Sequence, residues 1–289
     1  MIPLAYITEW REFAPWPDDF QVEQDLILSK ILIDIFSNLL LSKELAFRGG
    51  TALHKLFFSP AMRYSEDIDL VRIKTGEIKP IIDQLRSALS WLGEPKTTRN
   101  TASFKLLYFF SPENFPTIKL RIKIEINTRE NFSVLDYFQK PFQLESSWFV
   151  GKTNITTYQI EELLATKLRA LYQRKKGRDL FDIWLALRQE KFDIHKMISV
   201  FQTYMQKENN KITRNNFEKN IDDKLSDLSF IGDIGPLLAV DLEKQDSTSI
   251  LTEKGDVRVT DGGGPISTEG WDLYDAAKEL KSKVLYLLD

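Results

Sequence analysis

Between Thr117 and Asn127 the chain alternates more strictly than anywhere else. Ile118, Leu120, Ile122, Ile124 and Ile126 take every second position, and Lys119, Arg121, Lys123 and Glu125 fill the gaps. Successive side chains of a strand point to opposite sides, so this pattern predicts a β-strand with one core face and one wet or functional face. Ser103 to Phe110 reads as a neighbouring strand, joined to it through the turn Ser111-Pro112-Glu113-Asn114. A sheet is therefore required, and its polar face is the first place to look for chemistry.

The rest of the N-terminal half supplies helices for that sheet. Residues 20–43 predict a long helix with Val22, Leu26, Ile27, Ile31, Ile35 and Leu39 as its buried stripe. Lys30, Asp34 and Asn38 interrupt the apolar run, which makes it a core helix and not a membrane span. A short strand at 46–48, a helix from Thr51, a strand over 66–73 and a helix over 77–92 follow. From residue 160 the pattern becomes helical, at roughly 160–176, 178–190, 193–207 and 214–228, with Gly177 as the first break. Residues 241–270 lack any period and are rich in Asp, Ser, Thr and Gly; they read as a flexible insertion before a closing helix from Trp271 to Leu288. The expected fold class is α/β (α+β): a mixed-sheet domain over residues 1–158, then a helical domain over 159–289.

Composition narrows the partners. With 43% hydrophobic and 28% charged residues, the chain is globular, and the absence of cysteine excludes disulfides and thiolate metal sites. A net charge of -3 argues against a uniformly basic nucleic-acid coat. A cytoplasmic protein without a membrane partner is the expectation.

Chemistry is suggested by order and spacing. Gly49-Gly50-Thr51 lies between a strand and a helix, where glycines let backbone amides approach phosphate oxygens and the helix N-terminus adds orphan donors. Asp67 and Asp69 then project from one side of the next strand, where two carboxylates repel unless a cation lies between them. Hard oxygen ligands suit Mg²⁺ or Mn²⁺. Glu125, on the polar face of the strongest strand, is the best candidate for a third ligand. Such a trio can hold the metal pair that phosphoryl-transfer enzymes place around the reacting triphosphate. A second cluster comprises Lys167 and Arg174, seven residues apart and read as one helix face gripping phosphates, with Asp179 and Asp182 on the next helix. His54 and His195 have no metal-ligand spacing and read as structural.

Assembled, these residues resemble the AbiEii family of nucleotidyltransferase toxins, the toxin half of type IV toxin–antitoxin systems, which includes the MenT enzymes. The resemblance lies in Phe47-Arg-Gly-Gly-Thr-Ala-Leu-His-Lys-Leu, Arg63-Tyr-Ser-Glu-Asp-Ile-Asp-Leu, and the stretches Lys167-Leu-Arg-Ala-Leu-Tyr-Gln-Arg and Arg178-Asp-Leu-Phe-Asp-Ile, and runs more loosely over about residues 20–240. It implies a polymerase-β-like nucleotidyltransferase fold, with Gly49, Gly50, Thr51, Asp67 and Asp69 forming the nucleotide and metal site. Lys167 would contact nucleotide, and Asp179 or Asp182 would be an essential acid. It further implies NTP as substrate, an RNA acceptor such as a tRNA 3′ end, and a separately encoded antitoxin. Thr51 replaces the serine common in the wider superfamily, and residues 241–270 are not part of the pattern. Transfer to a protein or small-molecule hydroxyl, or silent NTP binding, are the competing expectations.

Overall fold

The computed structural model describes residues 2–59, 61–189, 192–238 and 271–288; the insertion expected at 241–270 lies outside the described residues. The chain forms two compact units, one taking residues 2–133 and 137–158, the other 134–136, 159–238 and 271–288 among those described.

The first unit is built on a seven-stranded mixed sheet. Its strands are β1 (Leu45–Arg48), β2 (Asp67–Arg72), β3 (Lys96–Arg99), β4 (Ser103–Phe110), β5 (Leu120–Asn127), β6 (Tyr137–Glu145) and β7 (Val150–Tyr158), in the spatial order β3-β4-β5-β2-β1-β7-β6. β2 runs parallel to β5 and antiparallel to β1, while β4 pairs antiparallel with β5. Ile122, Ile124 and Ile126 are inaccessible and lie in register with Ile68, Leu70, Leu106 and Tyr108. Each such side chain contributes roughly 1.5–3 kcal/mol on burial. A slip of one residue would turn this whole set to the opposite face, so the apolar row fixes the register. Ile118 stands before the strand and is exposed, because β5 begins only at Leu120.

Helices α1 (Leu4–Trp10), α2 (Asp19–Ser37), α3 (Leu41–Glu44), α4 (Gly49–Leu56) and α5 (Lys79–Ala88) belong to this unit. The single helix expected over 20–43 is broken at Asn38, whose side-chain oxygen accepts from the amides of Leu40 and Leu41. Leu39 consequently sits in the turn at 80% exposure instead of on the buried stripe. The β6–β7 hairpin was not expected from the sequence. Pro141 lies inside β6, which the sheet tolerates because β6 is an edge strand. α2 is anchored by polar contacts as well as apolar ones: Asp25, buried, accepts from Lys55 Nζ at 2.6 Å and Trp10 Nε1 at 2.9 Å.

The second unit contains α6 (Ile160–Gln173), α7 (Gly177–Gln189), α8 (Ile194–Lys207), α9 (Arg214–Leu225), α10 (Leu228–Ile231) and α11 (Leu273–Lys283). Trp271 leads into α11 and packs edge-on against Phe181 and Trp184 of α7. Fully buried Glu162 is satisfied by the amides of Val134 and Leu135 at 2.8 and 2.9 Å and by Tyr204 Oη at 2.8 Å. Among the described residues no helix is long and apolar enough to cross a membrane.

Asp25→Ala strands the buried Trp10 Nε1 and leaves the partly buried Lys55 Nζ with Ser29 Oγ alone, and should cost about 1–3 kcal/mol in urea unfolding. A loss below about 1 kcal/mol, the scale of an exposed pair, would show that the contact does not anchor α2 and α4.

Candidate active site

The register of the central strands places charges in a row. Arg48 of β1 lies opposite Asp69 of β2, Asp69 opposite Glu125 of β5, and Glu125 opposite Lys105 of β4. One pleat along, Asp67 faces Lys123. Because directly paired residues share a sheet face, three carboxylates and three cations occupy one polar surface. Lys123 Nζ is 2.8 Å from Asp67 Oδ2 and 3.5 Å from Glu125 Oε2, while Lys105 Nζ is 3.2 Å from Glu125 Oε1. Arg48 turns to Glu130, at 2.8 Å.

These neighbours set the ionisation of the group. Burial, reinforced by Asp67, pushes the Asp69 carboxyl above its ordinary range, against the pull of Lys123 and Arg48. Burial also opposes ionisation of Glu125, but hydrogen bonds from Ser103 and Lys105 and the charge of Lys123 hold it below its usual value. Lys123 is held above its usual value by Asp67, Asp69 and Glu125 despite its own burial. Asp69 is thus disfavoured as an anion, chiefly by its own burial.

Helix α4 starts beside that carboxylate. Gly49 has φ +83°, and a Cβ built there would lie 2.5 Å from Asp69 Oδ2. Both the left-handed backbone and the close approach demand glycine. No side chain caps α4 and no acid occupies its first turn, so the amides at Gly49 and Gly50 present the positive end of the helix. Thr51 is buried; its hydroxyl contacts Ser65 Oγ at 2.8 Å and donates to the Asp67 carbonyl. In this arrangement Thr51 ties the glycine turn to the carboxylate strand. His54 Nδ1 accepts from the Met62 amide at 3.3 Å, a structural contact.

Among the described residues no group of three or more histidine or acidic side chains is closed around one point as a finished metal cage. The Lys123 ammonium instead contacts both Asp67 and Glu125. The donor set nevertheless fits a hard divalent cation: Asp67, Asp69 and Glu125 offer only carboxylate oxygens, on two adjacent strands, at a point where burial leaves Asp69 under-neutralised.

The second cluster lies wholly in the helical unit and is closed on itself. Lys167 Nζ is 3.0 Å from Asp179 Oδ1 and 2.9 Å from Asp182 Oδ2, and both aspartates are inaccessible. Arg174 is not on the α6 face with Lys167. α6 ends at Gln173, and extended Arg174 folds back to donate from Nε and Nη2 to Asp179 at 2.7 and 2.9 Å. Its side chain remains 53% exposed against 8% for Lys167. Gly177 opens α7 where a Cβ would meet the Phe230 carbonyl at 2.5 Å. Sequence reasoning gave no role to Arg48, Ser103, Lys105 or Lys123. The alternation placed Lys123 on the polar face of β5 but could not show which strand would lie beside it.

The sequence profile of the family described as "Nucleotidyl transferase AbiEii toxin, Type IV TA system" matches residues 30–246. The chain belongs to the AbiEii family of nucleotidyltransferase toxins. Its fold is similar to that of MenT4, a nucleotidyltransferase toxin from Mycobacterium tuberculosis H37Rv, with a TM-score of 0.59 at 13% identity over 100% of this chain and 90% of that one. JHP933 from Helicobacter pylori is similar at a TM-score of 0.53 and 14% identity, covering 94% of this chain and 93% of its own. Comparison with curated proteins gives no match.

Two outcomes are expected. Gly49→Ala forces a left-handed alanine, costing at least about 1 kcal/mol, and drives Cβ into Asp69; unchanged melting would contradict the close approach. In the second cluster, burial favours protonated Asp179, but Lys167 and Arg174 outweigh it and hold the carboxyl below its ordinary range. Its stabilisation is then complete above about pH 4 and lost as pH falls through the lower folded value. The stability gap between wild type and Asp179→Asn should narrow below that pH, whereas parallel profiles would contradict the network.

Proposed function

We propose that the chain transfers a nucleoside monophosphate from an NTP to an RNA acceptor, a tRNA 3′ end in the first instance, in the cytoplasm, as the toxin of a pair with a separately encoded antitoxin. Family membership supports the reaction class and the antitoxin. The observation that carries the site assignment is the Asp69–Glu125 pair, with Asp67 on the same face, beside an uncapped helix whose first glycine leaves no room for a Cβ next to Asp69.

Asp67, Asp69 and Glu125 would hold Mg²⁺ or Mn²⁺. When bound, the metal neutralises triphosphate charge and lowers the pKa of the attacking hydroxyl. The amides of Gly49 and Gly50 donate to triphosphate oxygens, and Thr51 fixes their distance from the carboxylates through Ser65 and the Asp67 carbonyl. Ser103 and Lys105 keep Glu125 ionised. In the second cluster Lys167, Asp179 and Asp182 act as positioning residues, and exposed Arg174 is the phosphate contact they hold. The acceptor hydroxyl attacks the α-phosphorus and pyrophosphate departs. Protein or small-molecule hydroxyls could be served by the same groups, so the acceptor is decided by experiment.

With α-labelled NTPs and Mg²⁺ or Mn²⁺, label should enter total RNA. Asp67→Asn and Asp69→Asn should reduce incorporation at least about hundredfold, the scale of losing a major electrostatic contact to the transition state, while circular dichroism stays unchanged. The same variants should relieve growth arrest. Wild-type turnover in either folded variant would overturn the site, and label in protein alone would overturn the RNA acceptor.

A further inference from the structure

The first unit carries a second polar concavity that the carboxylate row does not use. It is a cleft of about 920 Å³ bounded by the connection from β2 to α5, the turn between β3 and β4, and Thr128 after β5. That volume lies in the range of small-ligand sites and exceeds what a bare ion needs. Arg72 and Asp69 are three residues apart on β2, so their side chains leave opposite faces of the sheet. Ser103 lines the cleft and also hydrogen-bonds Glu125, so the cleft adjoins the row without being part of it.

Its lining is cationic. Arg72, Lys74, Lys79 and Arg99 face a single carboxylate, Glu77. Lys79 is paired with Asp83 and Arg72 with Glu44, whereas Lys74 and Arg99 have no acidic partner among the described residues. The ten-residue helix α5 begins here with no side-chain cap and no acid in its first turn, and the Lys79 amide has no acceptor among the described residues. This is the positive end of a helix dipole.

An independent observation comes from Arg72. It is 5% exposed and lines the cleft. Its Nη1 donates to the Gly76 and Glu77 carbonyls at 3.2 and 3.3 Å and its Nη2 to Glu44 at 3.3 Å, but its Nε is buried without an acceptor. Among the described residues Trp16 Nε1, Arg86 Nε and Tyr108 Oη are also buried without a partner, but of the four only Arg72 lines this cleft, and a buried charged donor left unpaired is costly. A phosphate oxygen is the acceptor that suits a guanidinium, a helix N-terminus and two free cations at once.

We propose that this cleft is a phosphate-ester binding site separate from the carboxylate row. Its two possible sources are a backbone phosphate of a single-stranded acceptor and the phosphate of a free nucleotide. Arg129, exposed immediately after Thr128, extends the positive strip past the cleft and favours the strand. Assignment to the acceptor strand rests on the proposed transfer reaction; phosphate binding itself does not.

The test uses the full chain in EDTA, so that binding is read without turnover. Affinity for a short single-stranded RNA and, separately, for ATP is measured at two salt concentrations in wild type, in the double variant Lys74→Ala/Arg99→Ala and in Glu77→Gln. All three positions are exposed, so the fold should survive. The double variant should lose at least about tenfold in one arm. If that arm is RNA, the slope of log affinity against log salt should fall by about 1.4, the release expected for two phosphates of a single strand. Glu77→Gln should bind more tightly, which a structural defect would not produce. Loss in the RNA arm identifies a strand and loss in the ATP arm a free nucleotide. Unchanged affinity in both arms, or no gain in Glu77→Gln, overturns the proposal. Asp69→Asn should retain this binding while losing transfer, so failure of the cleft and failure of the proposed reaction are told apart.

Discussion

Asp69 and Glu125 face each other across one strand pair, with Asp67 a single pleat away. Carboxylates so placed repel unless cations stand among them. Lys123 bridges Asp67 and Glu125, Lys105 closes on Glu125, and Arg48 occupies the far end of the row. The apolar isoleucines on the reverse face of β5 help keep this register, because a slip of one residue would turn them to the polar face. Gly49 then sets the positive end of α4 against the least neutralised member, Asp69. Core packing thus fixes which face of β5 the charges occupy, and Lys123, Lys105 and Arg48 offset the carboxylates there.

Much of this was legible from residue order. The alternation through Ile122, Ile124 and Ile126 required a strand with a polar reverse face, and Glu125 lay on it. What the sequence could not supply was the sheet order. β2 and β5 are neighbours although two other strands lie between them in the chain, and the Asp69–Glu125 and Asp67–Lys123 pairs exist only through that parallel adjacency. The β6–β7 hairpin escaped notice for local reasons: Pro141 disrupts the strand pattern of β6, and β7 carries Lys152, Thr153 and Asn154 with little apolar alternation. Lys167 and Arg174 show the limit of helical spacing. Seven residues apart would share a face on a continuous helix, but α6 stops between them and both side chains converge on Asp179.

The two charged networks differ in a way that bears on their work. The Lys167, Asp179 and Asp182 group is buried and internally neutral with Arg174, as a network that holds helices together must be. The carboxylate row is half-exposed, and one of its acids is shifted towards protonation by burial and by a like charge. Under the proposed function, a bound cation would relieve that carboxylate. The family to which the chain belongs is defined by nucleotidyl transfer, and its fold is similar to that of MenT4.

The claim that the row holds a divalent cation is tested most directly by crystals grown with Mn²⁺ and a non-hydrolysable NTP, with anomalous scattering recorded at the manganese edge. The account predicts a manganese peak coordinated by Asp67, Asp69 and Glu125, the triphosphate at the amides of Gly49 and Gly50, and the Lys123 ammonium displaced from Asp67. Lys123 still paired with Asp67 and Glu125, with manganese and nucleotide elsewhere, would contradict it.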